Sequence, residues 1–420
     1  MTVLAHGVGD RHDLPLPLDL VLQAAAVALL ASFLGLGVLW TKPRFTPRAD
    51  RAHQPDRAPQ TVRAPQTVRA PWTVRAPWTV RAPWTVRAPW TVRAPWTVRA
   101  PWTDRTPRAD RWWPLRVVVA VGLVFVPAVA WPHLVFVLGW VGVAVLSMAL
   151  GPVWRVVNPL RLVLRVSRRR AYPAWLGYWP AAASLLAFTW VELVEPDALG
   201  WFLAAYALVG VIGGVLYGEA WFANADGFEV YSTLLGRLSP LWGNPFRALV
   251  ATPVKPGLVA LIAVCLGSTA FDSIGSMPSW ARLGVVPDSV GLVGAVALVA
   301  AGYLVACRAF GAELAHSLIP IVAGYVVAHY YSLLVVEGQR AVALLVGVEG
   351  FTPSEALVAP AVVASVQIGA VLAGHLLAVV SAHDRSLALL PAQRHLTGQV
   401  PLLLLMVGYT AGGLALLFAG

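Results

Sequence analysis

The chain has 420 residues, of which 58% are hydrophobic and only 12% are charged. That charged share is about half of what soluble globular domains carry, which excludes an ordinary water-soluble fold and predicts a membrane protein. The net charge is +11, yet residues 42–116 hold 16 basic and 4 acidic residues while the remainder holds 15 and 16. The basic character belongs to one segment, so the overall charge does not indicate a nucleic-acid-binding protein.

Apolar runs long enough to cross a bilayer recur along the chain. Because they are apolar on every face and lack the alternation of a barrel strand, we predict an all-α, polytopic transmembrane helix bundle of about ten spans. The spans are expected at residues 20–40, 117–132, 133–150, 179–194, 199–217, 257–271, 289–306, 314–336, 357–380 and 400–419. Residues 1–40 contain an N-terminal segment and the first span, residues 41–116 form one long loop, and residues 117–420 form the remaining bundle.

The long loop contains eight hexapeptides over residues 57–104, two reading RAPQTV, five RAPWTV and the last RAPWTD. Proline at every sixth position excludes a helix and a central strand, so we predict disorder or extended polyproline II. Arginine and tryptophan would then share one edge and contact the anionic lipid leaflet. The alternative is a tolerated insertion produced by recent duplication of an 18-base unit, and the near identity of the copies favours it.

Basic residues also predict the orientation of the bundle. With residues 42–116 inside the cell, the five inner segments hold 16, 6, 3, 1 and 2 Lys or Arg, whereas the outer segments hold only Arg11, Arg282 and Arg340. Without the long first loop, 12 basic residues remain inside against 3 outside. This distribution predicts a multi-pass protein of the cell membrane with both termini outside.

Two inner loops stand out. Residues 151–178 carry six arginines among Val, Leu and Trp, which is typical of a basic helix lying on anionic lipid, although topological anchoring accounts for it fully. Residues 217–229 contain Asn224, Asp226 and Glu229, whose oxygens suit a hard cation. The alternative for these three residues is turn chemistry followed by an interfacial helix.

Ionisable groups inside membrane spans are costly and point to function. The predicted spans contain Glu192, His316, His329 and His375, joined by the amide of Gln367. Gln367 and His375 lie eight positions apart on one helix, and Gln367 is expected at a depth similar to that of His329. A polar path for a proton, ion or small solute is one interpretation, and simple interhelical hydrogen bonding is the other.

The predicted outer side has a further polar group, formed by His6, Asp10, His12 and Asp272. Imidazoles and carboxylates are competent ligands for a divalent metal, which would be the cofactor of this group. No spacing in it is diagnostic, and an exposed polar tail is the alternative. The sequence contains none of the usual phosphate-loop, dinucleotide, zinc-protease or nucleophile-elbow motifs.

Several segments resemble a family of poorly characterised actinobacterial membrane proteins. They are residues 4–17 (LAHGVGDRHDLPLP), 151–161 (GPVWRVVNPLR), 217–241 (beginning YGEAWFANADGFEVYS), 270–276 (AFDSIGS) and 315–339 (beginning AHSLIPIVAGYVVAHYY). Some members are labelled fenitrothion hydrolase, which implies cleavage of organophosphates. The resemblance covers nearly the whole chain except the hexapeptide loop, and it carries no catalytic residues over.

Three functions follow as expectations. The first is passage of a small molecule or ion through a polar path in the bundle, which the intramembrane polar groups favour. The second is a membrane-embedded hydrolase in which a bound metal activates water for attack on phosphorus. The third is a scaffold or assembly protein without a substrate.

Overall fold

The computed structural model describes residues 17–46, 112–168, 170–277, 279–280, 287–348 and 350–418. Helices and short connections make up these residues, and no strand occurs among them. The hexapeptide repeat of residues 57–104, and His6, Asp10 and His12, lie outside them. The all-α bundle expected from the sequence is confirmed.

The described part of the chain contains fourteen α-helices. In chain order they are α1 (Leu18–Leu39), α2 (Trp113–Val124), α3 (Val143–Leu150), α4 (Val153–Val157), α5 (Trp179–Leu193), α6 (Leu199–Tyr217), α7 (Glu219–Asn224), α8 (Gly227–Gly236), α9 (Pro245–Val250), α10 (Leu258–Gly275), α11 (Asp288–Ala306), α12 (Ile319–Leu345), α13 (Pro360–Leu389) and α14 (Val400–Phe418). The stretch His133–Gly142, which leads into α3, is π-helical, and Pro159–Val166 and Gly311–Leu318 are 3₁₀-helical.

Eight helical segments in the described part of the chain are long and apolar enough to cross a membrane, and the chain is an integral membrane protein. They agree with eight of the ten expected spans. The other two correspond to shorter helices, α2 with 12 residues and α5 with 15. Proline at position 127 separates α2 from the next helical segment, which begins at Ala128, because proline cannot donate the hydrogen bond that a continuous helix needs.

The centre of the bundle is formed by α10, α12 and α13. Helix α12 packs along α13 and against the π-helical stretch, while α10 packs between α5 and α11. Two glycines allow α12 and α13 to touch, since a Cβ atom on Gly324 would lie 2.4 Å from the carbonyl oxygen of Ala370, and one on Gly374 would lie 2.5 Å from that of Pro320. Small residues permit this close backbone approach in membrane bundles.

The segment after α1 is held against α13 by a single carboxylate. Asp384, which is fully buried, accepts hydrogen bonds from the backbone N–H groups of Arg44 (2.5 Å), Phe45 (3.1 Å) and Thr46 (2.8 Å), and from the Thr46 hydroxyl (2.8 Å). The neighbouring His383 contacts the carbonyl oxygen of Trp40 at 2.9 Å. The chain therefore leaves α1 in a defined direction as far as residue 46.

Candidate functional site

A buried carboxylate and imidazole pair lies between α10 and α12. The Nε2 atom of His329 is 2.7 Å from Oδ2 of Asp272, and its Nδ1 atom is 3.3 Å from the hydroxyl of Ser273. Asp272 is 2% exposed and His329 is 6% exposed. The carboxylate accepts from Nε2–H, so a neutral imidazole keeps its acceptor nitrogen on the side of Ser273. The ring can take up a proton there without losing its carboxylate partner.

The sequence of α10 explains why these groups face inward. Its polar residues Ser268, Thr269, Asp272 and Ser273 recur at helical spacing and form one stripe on an otherwise apolar helix. All four are buried. Because α10 packs against both α5 and α12, the stripe is enclosed by protein rather than by lipid.

A second carboxyl group lies close to the pair. Glu192 is in the last turn of α5, is 5% exposed, and interacts electrostatically with Asp272. Its Oε2 atom has no hydrogen-bond partner among the described residues. The hydroxyl groups of Tyr231 on α8 and Tyr330 on α12 are also within electrostatic range of Glu192. Four elements thus converge on one buried polar centre.

A second carboxylate–imidazole contact lies further along α12. Glu337 is about two turns beyond His329, and its Oε2 atom is 3.3 Å from Nε2 of His133, the first residue of the π-helical stretch. Arg340 pairs with the other oxygen of Glu337 at 2.5 Å. Irregular π-helical turns are frequent at functional sites, and this one presents an imidazole next to a buried carboxylate.

Only some of the residues expected to line a polar path lie together in the structure. Glu192 and His329 belong to the buried centre, which also includes Asp272, a residue expected in the outer metal group. His375 contacts the carbonyl oxygen of Val371 in its own helix, and His316 contacts that of Glu313. Gln367 is half-buried, on the helix whose Ala370 and Gly374 approach Gly324 of α12. No hydrogen bond links it to His329, and a continuous path through all five residues stays a prediction.

Ser273, Tyr231 and Tyr330 are site residues that the sequence reasoning missed. The stripe on α10 is a signal that would have found Ser273. No comparable signal exists for Tyr231, because it reaches the centre from a short helix between two spans.

No group of three or more His, Cys, Asp or Glu side chains placed to hold a metal occurs in the described part of the chain. His6, Asp10 and His12 lie outside that part, so the metal set expected from them stays a prediction. Asp272, the fourth member of that set, instead contacts His329.

The segment that precedes α5 and the segment that follows α6 both pack back into the bundle rather than lying outside it. Side chains from both loops pack against glycines on one side of α6. Leu160 lies against Gly210, Trp221 against Gly213, and Phe222 and Val163 against Gly214. Helix α8 is almost entirely buried and packs on α3, α4 and α5. Re-entrant segments of this kind occur in membranes only where protein or a water-filled cavity surrounds them.

Asp226 is the N-cap of the re-entrant helix α8. Its carboxylate accepts hydrogen bonds from the Glu229 backbone N–H (3.0 Å), the Tyr206 hydroxyl (2.8 Å) and the Asn158 amide (2.9 Å). Burial, followed by the nearby charge of Glu229, raises the pKa of Asp226 to about 7, even though these hydrogen bonds act in the opposite direction. Asn158 belongs to the other re-entrant loop, so Asp226 joins the two loops.

Arg161 and Glu229 form a buried ion pair beside this cap. Both Glu229 oxygens accept from Arg161 Nη1, at 2.6 and 2.9 Å, and Arg161 Nη2 contacts Glu219. Burial disfavours the charged guanidinium, but the two carboxylates outweigh it and raise the pKa of Arg161 above its ordinary value. Arg161 is only 3% exposed, so it is not part of a helix lying on the lipid surface. Contact of the other inner arginines with anionic lipid stays a prediction.

Asn224, Asp226 and Glu229 therefore each have a protein partner. The Asn224 side chain accepts from Lys255 Nζ and donates to the Ala220 carbonyl, whereas Asp226 and Glu229 are engaged as described above. This arrangement fits the turn alternative, except that the helix that follows, α8, is buried in the bundle.

Comparison of the chain with protein families, with curated proteins and with solved structures finds no match.

Proposed function

We propose that this protein moves a small solute or ion through its helix bundle and exchanges protons at the His329–Asp272 pair. The observation that carries the proposal is the buried 2.7 Å contact between the two side chains, with Glu192 alongside. Ionisable residues enclosed by membrane helices mark proton relays and substrate pathways. In the cell membrane, with both termini outside, this centre would face the outer half of the bundle and the re-entrant loops the inner half.

The chemistry requires only a change of protonation state. When His329 takes up a proton it becomes a donor through both ring nitrogens, to Asp272 and to Ser273. The Asp272 carboxylate stabilises the imidazolium by charge, and loss of the proton restores the neutral ring. The movement of a solute that carries or displaces a charge near Glu192 would be coupled to this proton exchange.

The test uses proteoliposomes that contain a pH-sensitive dye. Small organic cations, anions and neutral solutes are added outside one class at a time, and the internal pH is followed. We expect one class to change the internal pH, and we expect His329→Gln and Asp272→Asn to reduce the rate by at least about tenfold. Asp197→Asn, which alters an exposed carboxylate, is the matched control. The proposal is wrong if no class gives a rate above that of protein-free vesicles.

A specific geometry favours the hydrolase as a second candidate. Ser273, His329 and Asp272 have the residue types and contacts of a nucleophile, a base and an orienting carboxylate. Ser273 Oγ would attack the carbonyl carbon or phosphorus of an ester and pass its proton to His329, which would then protonate the departing alcohol. Water would hydrolyse the resulting ester of Ser273 by the reverse proton transfers.

The two candidates can be separated with a fluorophosphonate probe, which bonds covalently to activated serines. Labelling of Ser273, detected by mass spectrometry and lost in Ser273→Ala but kept in Ser276→Ala, would support the hydrolase. Folded protein that remains unlabelled at Ser273 would count against it. A protein that shows neither labelling nor flux would leave the scaffold function.

A further inference from the structure

The buried carboxyl groups of α5, α10 and α12 differ in their partners. Asp272 contacts His329, and Glu337 contacts Arg340 and His133. Glu192 has no basic partner at ion-pair distance among the described residues, although it is as deeply buried as the other two. A buried carboxylate without a counter-charge is strongly destabilised. Glu192 therefore requires either a proton or a cationic ligand.

A second, independent group is also unsatisfied at this place. The Tyr231 hydroxyl is buried, has no hydrogen-bond partner in the described part of the chain, and lies within electrostatic range of Glu192 and Cys265. It comes from the re-entrant helix α8, whereas Glu192 comes from α5. Burial without a partner is unfavourable for such a group, because it gives up its hydrogen bonds to water. Two buried oxygen atoms from separate elements, Glu192 Oε2 and Tyr231 Oη, thus lack a hydrogen-bond partner among the described residues, as does the indole N–H of the neighbouring Trp140.

Aromatic rings pack beside Tyr231. Trp140 stacks on Tyr231 with ring centroids 4.5 Å apart and lies 5.2 Å from Phe188. Tyr330 adds a second hydroxyl within electrostatic range of Glu192, Asp272 and Tyr231. Aromatic rings favour organic cations, because the negative face of each ring attracts positive charge. Transition-metal ions instead need several carboxylate, imidazole or thiolate ligands held together, and no such group occurs in the described part of the chain.

We propose that Glu192, Tyr231 and Tyr330 form a binding site for a small protonated amine. Its ammonium group would donate to Glu192 Oε2 and to the tyrosine hydroxyl oxygens, and its hydrocarbon part would contact Trp140 and Phe188. This inference rests on the proposed function, since it names the class of solute that the bundle would carry. The nearby His329–Asp272 pair would then exchange protons next to a cationic solute.

The experiment measures binding to the full-length protein in lipid nanodiscs by calorimetry at pH 7. The probes are methylammonium and benzylammonium, with benzyl alcohol and benzoate as neutral and anionic relatives. We expect at least one ammonium probe to bind and neither relative to do so. Glu192→Gln should weaken binding at least tenfold, and Tyr231→Phe, which keeps the charge and the ring, severalfold. Glu195→Gln, three residues further on and exposed, should bind as the wild type does.

The outcomes separate this inference from the proposed function. Failure of both ammonium probes to bind folded wild-type protein, equal binding of benzyl alcohol, or unchanged affinity in Glu192→Gln would overturn the inference. Proton-coupled flux of an anionic or neutral solute, without amine binding, would overturn it while leaving the proposed function intact. Amine binding in the absence of any flux would support the site and remove the transport function.

Discussion

The hydroxyl of Tyr206 donates a 2.8 Å hydrogen bond to Asp226, although Tyr206 lies within α6 and Asp226 lies at the start of α8. Tyr206 lies eleven residues before the end of the spanning helix α6, a distance of ~16 Å along the helix axis. Asp226 begins α8, which follows the turn after α6. The hydrogen bond shows that the chain reverses after α6 and returns alongside it.

Asp226→Ala should destabilise the protein by roughly 2–4 kcal/mol, because it removes a helix cap and leaves buried donors without an acceptor. Thermal unfolding in detergent, followed by tryptophan fluorescence, measures the change. Asp197→Ala, at an exposed position in the loop between α5 and α6, should have almost no effect. Equal stability of the two variants would show that the cap contributes nothing.

The raised pKa of Asp226 predicts a pH dependence with a definite sign. The pKa rises from 3.8 to about 7 on folding, so between these values the folded protein binds a proton that the unfolded chain has released. This contribution to stability is present at low pH and is lost as pH rises towards 7. The slope is at most about 1.4 kcal/mol per pH unit.

Asp226→Asn isolates that contribution, because the amide cannot ionise and its oxygen can still accept from Tyr206 and Glu229. Thermal unfolding of both proteins at pH 5, 6, 7 and 8 should show the wild type losing stability relative to the variant as pH rises. Parallel curves for the two proteins would contradict the prediction.

Arg161→Met should cost about 3–5 kcal/mol, since it leaves the buried Glu229 carboxylate without its counter-charge. Replacing both residues, as Arg161→Met with Glu229→Leu, should recover much of this loss because no buried charge remains. Arg155→Met is the control: the Arg155 side chain is 42% exposed and lies 3.8 Å from Glu219. Unfolding free energies of the four proteins form the test, and a double variant less stable than Arg161→Met would argue against a simple ion pair.

Gly374→Ala should weaken the contact of α12 with α13 by about 1–3 kcal/mol, because the added methyl group would lie 2.5 Å from the backbone oxygen of Pro320. Gly369→Ala changes the same helix at a position with no atom within 4 Å of the new Cβ atom. That control should be neutral or slightly stabilising, since alanine favours a helix over glycine. Equal melting temperatures for the two variants would contradict the tight packing.

The sequence predicted the all-α membrane bundle and most of its spans because those depend on composition and on run length. It could not predict the burial of α8, because residues 217–229 are polar and aromatic in a pattern that a loop also shows. Only the partners of Asp226 and Glu229, which come from Asn158, Arg161 and Tyr206, make burial of these carboxylates tolerable. Such partners are distant in sequence and leave no periodic signal.

The candidate site was also predicted only in part. Glu192 and His329 were predicted because an ionisable residue in an apolar run is conspicuous. The pairing of His329 with Asp272 was not predicted, because the carboxylate lies near the end of α10 and was expected outside the bundle. Their contact depends on how α10 and α12 pack, which neither helix encodes alone.

Asp384 binds the chain after α1 through main-chain N–H groups, which every residue except proline possesses. Side-chain replacements at positions 44 and 45 are therefore expected to be tolerated at this contact, whereas proline at either position would remove a donor. The specificity of the attachment resides in Asp384 on α13 and in the Thr46 hydroxyl, not in the side chains of residues 44 and 45. The side chains at positions 44 and 45 can therefore change without altering the path of the chain.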